Sequence, residues 1–317
     1  MKIAYLMHTK QELPSIMKVI NELVKQDDHV FIMVDDNKER DDFMIAYSHD
    51  RRVHVSHTQE FAQEGDMSLA RGTLLQMKEA IEYKDAEFDY FINLYDGMLA
   101  LKPRDEIVAF LEQNPGDYYE VEKTEQDDPS LKKEAIRCYG YTNMLDFPTK
   151  QKYRKKSKHL ASFLYFLHIR RKLDDPVQLG SPWFILSSDT CKVLAEHFAY
   201  CSEYFKLSWY AEEMVIPMMI TKYLSNPVHV NDDKRVVGPD GCWVHSQGIR
   251  PISEEVLNRF PDALYGGAIL DTEQPELFEQ ILPIYNSTYQ KPYEVPIDNS
   301  GFNHMVDSLA NATIKVK

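Results

Sequence analysis

Lys2-Ile3-Ala4-Tyr5-Leu6-Met7 and His29-Val30-Phe31-Ile32-Met33-Val34 are two nearly unbroken apolar runs of strand length. Between them, over residues 13–24, Leu13, Ile16, Met17, Ile20 and Val24 recur at helical spacing. Apolar runs without polar alternation fit strands buried on both faces. A strand, an amphipathic helix and a second strand joined by short links form a βαβ unit, whose default assembly is a right-handed crossover in a parallel sheet. Working outward, residues 53–55 predict a short third strand. Residues 69–83 predict a helix with Leu74, Leu75, Met77, Ala80 and Ile81 on or near its apolar side. Phe88-Asp89-Tyr90-Phe91-Ile92-Asn93-Leu94 returns to strand character and stops at Tyr95-Asp96-Gly97. Pro103 stands at the start of a helix over 104–112, where its missing donor does least harm, and residues 118–122 predict another strand. This alternation predicts an α/β fold with an open, mostly parallel central sheet flanked by helices.

The second half is less regular around residues 126–146. Helices are predicted over 190–197, 212–224 and 253–260, with a short strand within 226–235. Between Lys150 and Lys172 there are nine basic residues and no acidic one, and residues 160–169 make an apolar and aromatic helical stretch inside that run. We expect a main domain over 1–270 in two halves, 1–125 and 126–270. Residues 271–317 are expected to be an extension packed on the core.

Fifty acidic against 36 basic residues give a formal net charge of −14, which argues against nucleic-acid binding, because phosphate neutralisation needs a dominant basic surface. The basic run makes the molecule bipolar, and an anionic membrane surface is a partner it would attract. Cys138, Cys191, Cys201 and Cys242 show no CxxC spacing and are expected as free thiols. The first apolar run is too short for a signal peptide or a span, and no stretch of about 18 apolar residues follows. The expectation is a cytoplasmic protein with peripheral contact at the inner face of the plasma membrane. No Gly-rich dinucleotide fingerprint, P-loop, HExxH or GxSxG motif occurs, which sets aside dehydrogenase, ATPase, metalloprotease and esterase readings.

Two segments carry the chemistry: Gly180-Ser181-Pro182-Trp183-Phe184-Ile185-Leu186-Ser187, and Ser208-Trp209-Tyr210-Ala211-Glu212-Glu213. The second puts two carboxylates in a first helical turn, where exposed backbone donors favour negative charge. Adjacent helical positions point in different directions, so one carboxylate can face a cleft while the other caps or faces solvent. Both also fit as ordinary first-turn acids. Asp35 and Asp36 end the second strand, at a place suited to a ribose, a base edge or plain turn duty. Neither they, Asp96 nor Asp232-Asp233 has the Asp-X-Asp spacing usual for a divalent ion on a sugar diphosphate, so no metal is expected. Trp183 suits either stacking on a sugar face or the core; Trp209 and Tyr210 lie in a link beside the acids; His8 suits either a nucleotide contact or a structural bond.

The four ordered segments beginning at Lys2, His29, Phe88 and Gly180, with the acidic pair behind them, resemble the core-2/I-branching glycosyltransferases, the group of β-1,6-N-acetylglucosaminyltransferases and peptide O-xylosyltransferases. The likeness spans about residues 1–265 and has the form of a bacterial member. It implies a GT-A fold and inverting, metal-independent transfer from a UDP-sugar, UDP-N-acetylglucosamine among the donors, to a glycan or lipid-linked glycan hydroxyl in capsule, exopolysaccharide or surface-glycan synthesis. It implies Glu213 as the base, with no cofactor beyond the UDP-sugar co-substrate. His8, Asp35, Arg235 and Arg250 are the expected donor contacts, and Asp96, Trp183, Trp209, Tyr210 and Glu212 the acceptor contacts. The chain departs from the family pattern at Tyr95-Asp96-Gly97-Met98 and near Tyr265-Gly266-Gly267, where a basic residue is missing, so Arg235 or Arg250 is expected to supply the charge. Loss of chemistry, leaving a glycan or nucleotide-sugar binding protein, and a membrane-peripheral assembly component are the alternative readings.

Overall fold

A computed structural model describes residues 1–11, 13–35, 37–58, 60, 67–138, 151–208, 210–225, 228–241 and 250–289, with side chains left out at 37–38 and 151–158. The strands are β1 (Ile3–Thr9), β2 (His29–Val34), β3 (Val53–Val55), β4 (Tyr90–Tyr95), β5 (Leu99–Ala100), β6 (Asp117–Tyr119), β7 (Lys123–Thr124), β8 (Gln178–Leu179), β9 (Phe184–Ser187), β10 (His229–Val230), β11 (Arg235–Val237) and β12 (Tyr265–Gly267). The helices are α1 (Leu13–Leu23), α2 (Asn37–Ala46), α3 (Met67–Glu82), α4 (Arg104–Gln113), α5 (Ser130–Ala135), α6 (Gln151–Phe166), α7 (Ser188–Glu196), α8 (Phe198–Phe205), α9 (Ala211–Tyr223), α10 (Glu254–Arg259) and α11 (Pro275–Ile281).

The main sheet runs β10-β6-β9-β4-β1-β2-β3. Its β4-β1-β2-β3 half is parallel, whereas β9 lies antiparallel to both β4 and β6. Every residue of β1 and β2 is buried, because helices cover both faces. Alternation along each strand divides the core in two. Ile3, Tyr5, Met7, Val30, Ile32, Tyr90, Ile92 and Leu94 face one side with α1, α4 and the tail. Ala4, Leu6, Phe31 and Phe91 face the other with α3, α7, α8 and α9.

Two polar anchors tie the layers together. Gln76 of α3 donates its amide to the carbonyls of Met7 and Phe31, the latter at 2.9 Å, fixing α3 across β1 and β2. On the opposite face Asp28, fully buried, accepts from the Ile3 amide at 3.0 Å, from Arg104 and from the Tyr285 hydroxyl at 2.7 Å. Tyr5 bonds both Tyr285, at 2.6 Å, and Tyr265, at 3.1 Å. A buried carboxylate is tolerable only when paired and fully hydrogen-bonded in this way. Phe278, Ile281 and Tyr285 thus contribute to the same core as β1.

Cys138, Cys191 and Cys201 are free and buried; Cys242 lies outside the described residues. Among the described residues no helix is long and apolar enough to cross a membrane.

Candidate active site

The carboxyl ends of β1, β2 and β4 bring their terminal polar residues together, as parallel neighbours in an open α/β sheet must. Nε2 of His8 lies 2.5 Å from Oδ1 of Asp35. The Thr9 hydroxyl donates to Asp96 at 2.5 Å, and the Lys10 amide donates to the other oxygen of Asp96 at 2.9 Å. The Lys10 ammonium stands 3.6 Å from Asp35. Burial pushes the Asp96 carboxyl up, and the bonds from Thr9 and Lys10 work against that shift. Asp36 lies outside the described residues.

A narrow cleft beside this cluster leaves a cavity of about 20 Å³, room for about one water molecule. Its walls include His8, Tyr95, Trp183 and Glu212 from four separate segments, with Leu74 and Val215 as apolar lining. Trp183 is only 2 % exposed and part of the core, and it also lines the cleft. Glu212 and Glu213 are buried at the start of α9. Tyr210, in the left-handed region (φ 59°), turns the chain into that helix, a conformation that costs a non-glycine residue energy. Trp209 lies outside the described residues.

Pro217 sits inside α9 and has no amide to give the Glu213 carbonyl four residues earlier. The amide of Gly180 donates to that carbonyl instead, at 2.9 Å. The 180–184 segment, which links β8 to β9, is therefore joined to the first turn of the acidic helix. Only glycine fits at 180, since a Cβ there would fall 1.8 Å from the Glu120 carbonyl oxygen. The rest of the segment is held as tightly. The Ser181 hydroxyl donates to Asp233 at 2.6 Å and accepts from the Trp183 amide at 3.2 Å. Asn93 donates to the Pro182 carbonyl at 2.9 Å and accepts from the Phe184 amide at 2.8 Å.

Arg235, expected at a diphosphate, is bound into this framework. Its guanidinium donates to the carbonyls of Asn93 and Phe184, each at 3.2 Å, and lies 4.4 Å over the Tyr265 ring. Burial pulls its pKa down. Asp233 beside it is pushed up to about 6 by burial, with Ser181 and Arg235 opposing. Glu120 rises to about 7 through burial and then the charges of Asp233, Glu122 and Asp232. Arg250 is half-buried and belongs to a different segment: its carbonyl accepts from Ala268, and the neighbouring Ile269 donates to the Gly97 carbonyl in the loop after β4. The 268–269 segment thus stands between the Arg250 main chain and the loop that carries Asp96.

One member of the basic run does not face solvent. Arg171 points inward, donating to the carbonyls of Ala135 and Tyr204, and burial lowers its pKa to about 10. Lys150 lies outside the described residues. Lys10, Asn93, Ser181 and Asp233 were not among the expected site residues. Pro217, a helix-interior proline four positions after a glutamate, was the available signal for the Gly180 contact. Among the described residues, no group of three or more His, Cys, Asp or Glu side chains is arranged to hold a metal ion.

A mostly parallel sheet with one reversed strand, its polar cluster at the strand ends and an acidic helix across the cleft define a GT-A-like glycosyltransferase fold. Residues 3–247 match the core-2/I-branching enzymes, and the chain belongs to that family; it is a glycosyltransferase. Among solved structures it is similar to apo mouse xyloside xylosyltransferase 1, with 10% identity, 84% of this chain and 97% of that chain covered, and a TM-score of 0.39. No curated protein matches it.

Proposed function

We propose that the protein transfers a sugar, with inversion and without a metal, from a UDP-sugar to a hydroxyl of a glycan or lipid-linked glycan. The observation that carries this reading is the single cleft shared by His8 at a strand end, Trp183 on the 180–184 segment and Glu212 at the start of α9. Nucleotide diphosphates bind outside the carboxyl ends of parallel strands, which supports His8 and Asp35 as contacts to the nucleoside and Arg250 and Lys10 as charge for the diphosphate. Residues 1–125 are assigned to the donor half, 126–270 to the acceptor half and 271–317 to an extension. UDP-N-acetylglucosamine is the first donor to try, and a bacterial, cytoplasmic surface-glycan pathway the first setting.

Glu213 is assigned as the base. Its carboxylate takes the acceptor hydroxyl's proton as the oxygen attacks the anomeric carbon. The bond from that carbon to the diphosphate oxygen breaks on the opposite face, and its electron pair leaves with UDP. Two supports favour this choice: the resemblance places the base at 213, and the Gly180 bond fixes that residue's main chain to the 180–184 segment. Glu212, Trp183, Trp209, Tyr210 and Asp96 are assigned to the acceptor, with Trp183 stacking on a pyranose face.

UDP release from a panel of UDP-sugars with glycan acceptors, in the presence of chelator, tests the reaction. Glu213→Gln should keep its UDP affinity and lose about 100-fold or more in transfer rate, whereas Glu212→Gln should act mainly on acceptor KM. Reversed behaviour of the two variants would assign the base to Glu212. Transfer abolished by chelator would overturn the metal-independent reading.

A further inference from the structure

The end of α6 and the segment after it present apolar side chains to solvent that nothing described in the chain covers. Phe163 is 56 % exposed, Phe166 77 %, Leu167 47 % and Ile169 50 %. Phe163, Phe166 and Leu167 share one helical face by their spacing of three and four, and the Leu167 amide closes on the Phe163 carbonyl at 3.0 Å. Four large apolar groups exposed within seven residues mark a contact surface rather than scattered surface hydrophobes.

The charges beside them have one sign. Arg170 is exposed, stacked 4.2 Å over Tyr165 and bonded to His168; Lys172 is exposed too. Five more basic residues, Lys152, Arg154, Lys155, Lys156 and Lys158, precede the apolar stripe on the same helix, and no acidic residue occurs between 150 and 172. On a chain of net charge −14 this concentration repels the protein's own overall charge and attracts an anionic one. Aromatic and aliphatic side chains flanked by Lys and Arg are the composition that lies in the headgroup region of an anionic bilayer.

The patch is also linked to the active site. Ala161, fully buried on α6, packs against Tyr210, the residue that turns the chain into the helix bearing Glu212 and Glu213. We propose that residues 163–172 dock the protein on an anionic lipid surface, with Phe163, Phe166, Leu167 and Ile169 entering the headgroup region and Arg170 and Lys172 pairing with lipid phosphates. The docking stands on the surface alone. Its consequence, presentation of a lipid-borne acceptor to the cleft behind Tyr210, rests on the function proposed above.

The test is sedimentation of the full chain with vesicles of phosphatidylcholine, with and without phosphatidylglycerol. Binding is expected only with the anionic lipid and is lost in high salt. Phe166→Ser should weaken it about tenfold, and Arg170→Gln about fivefold. Both variants should keep the wild-type circular dichroism and the wild-type rate on a water-soluble acceptor. Failure to bind anionic vesicles at low salt would overturn the proposal. So would a concentration-dependent dimer by light scattering that Phe166→Ser dissolves, which would make the patch a contact between copies. Vesicle binding without sugar transfer to any acceptor would sink the transfer reading and leave the docking intact.

Discussion

The amide of Gly180 donates to the carbonyl of Glu213 at 2.9 Å, a contact open because Pro217 cannot fill it. It couples the 180–184 segment to the acidic helix through main chain alone. Replacing Pro217 by Ala supplies a competing helical donor and relieves a helix-interior proline, so stability should hold or rise by about 1 kcal/mol. The segment loses its hold on α9, and kcat should fall severalfold with KM for UDP-sugar little changed. Gly180→Ala is the contrasting variant. Its Cβ meets the Glu120 carbonyl, so urea denaturation should register a loss of about 2 kcal/mol or more. Equal kcat in wild type and Pro217→Ala would remove the coupling.

Arg235 and Arg250 separate structure from binding. Removing the Arg235 guanidinium as Met takes a donor from the carbonyls of Asn93 and Phe184, while Asp233 keeps the Ser181 hydroxyl and the main-chain amide of residue 235, and should cost about 2 kcal/mol in urea unfolding. UDP affinity of the folded fraction should stay close to wild type. Arg250→Met should do the reverse, lowering UDP affinity about tenfold by calorimetry with an unchanged denaturation midpoint. If Arg235→Met lost UDP affinity without losing stability, its assignment to the framework would be wrong.

The parallel half of the sheet was legible because strands covered on both faces cannot hide polar residues. The runs at 2–7, 29–34 and 88–94 correspond to β1, β2 and β4 within two residues at each end. The helix α2 was not legible: in Asn37–Ala46 the apolar residues Phe43, Met44, Ile45 and Ala46 are consecutive instead of periodic, and Phe43 alone among them is buried. The helix α8 escaped notice because aromatics fall on several of its faces. At the site, residue types at strand ends pointed to His8, Asp35 and Asp96, which the sheet register brings side by side. The role of Arg235 was not visible, since a basic residue at a strand start reads the same whether its charge meets a ligand or three carbonyls. Only the packing of β11 beneath the 180–184 segment decides that.

Stability should carry a pH signature from the carboxyls under the 180–184 segment. Asp233, pushed up to about 6 by burial, and Glu120, pushed up to about 7, both keep protons in the folded state that the unfolded chain releases near pH 4. Where the folded state binds more protons, stability falls as pH rises. Their contribution is thus intact below about pH 4 and declines between about pH 4 and pH 7. Asp233→Asn cannot ionise, so its stability relative to wild type should climb by about 3 kcal/mol between about pH 4 and pH 6. Parallel wild-type and variant curves of urea midpoint against pH would refute the assignment.

Gly72 tests the His8 end of the cleft without replacing a polar residue. A Cβ there would lie 3.0 Å from the Met33 sulfur and 3.2 Å from both Cε1 and Nδ1 of His8. Met33 is flexible enough to yield, whereas His8 is 2 % exposed and tied to Asp35 at 2.5 Å, so displacement of its ring disturbs that bond. Gly72→Ala also favours helix at an interior position of α3 by about 1 kcal/mol, which offsets much of the crowding. The expected outcome is a near-neutral denaturation midpoint with UDP affinity weakened by about three- to tenfold, the size of one strained hydrogen bond. Asp35→Asn, which keeps the shape but removes the charge facing His8, should weaken UDP binding similarly, and the double variant should lose less than the product of the two, because both act through the same imidazole. Calorimetric titration of UDP into the four proteins reads this directly. Full multiplicativity would mean that Gly72 and Asp35 act on the donor by separate routes.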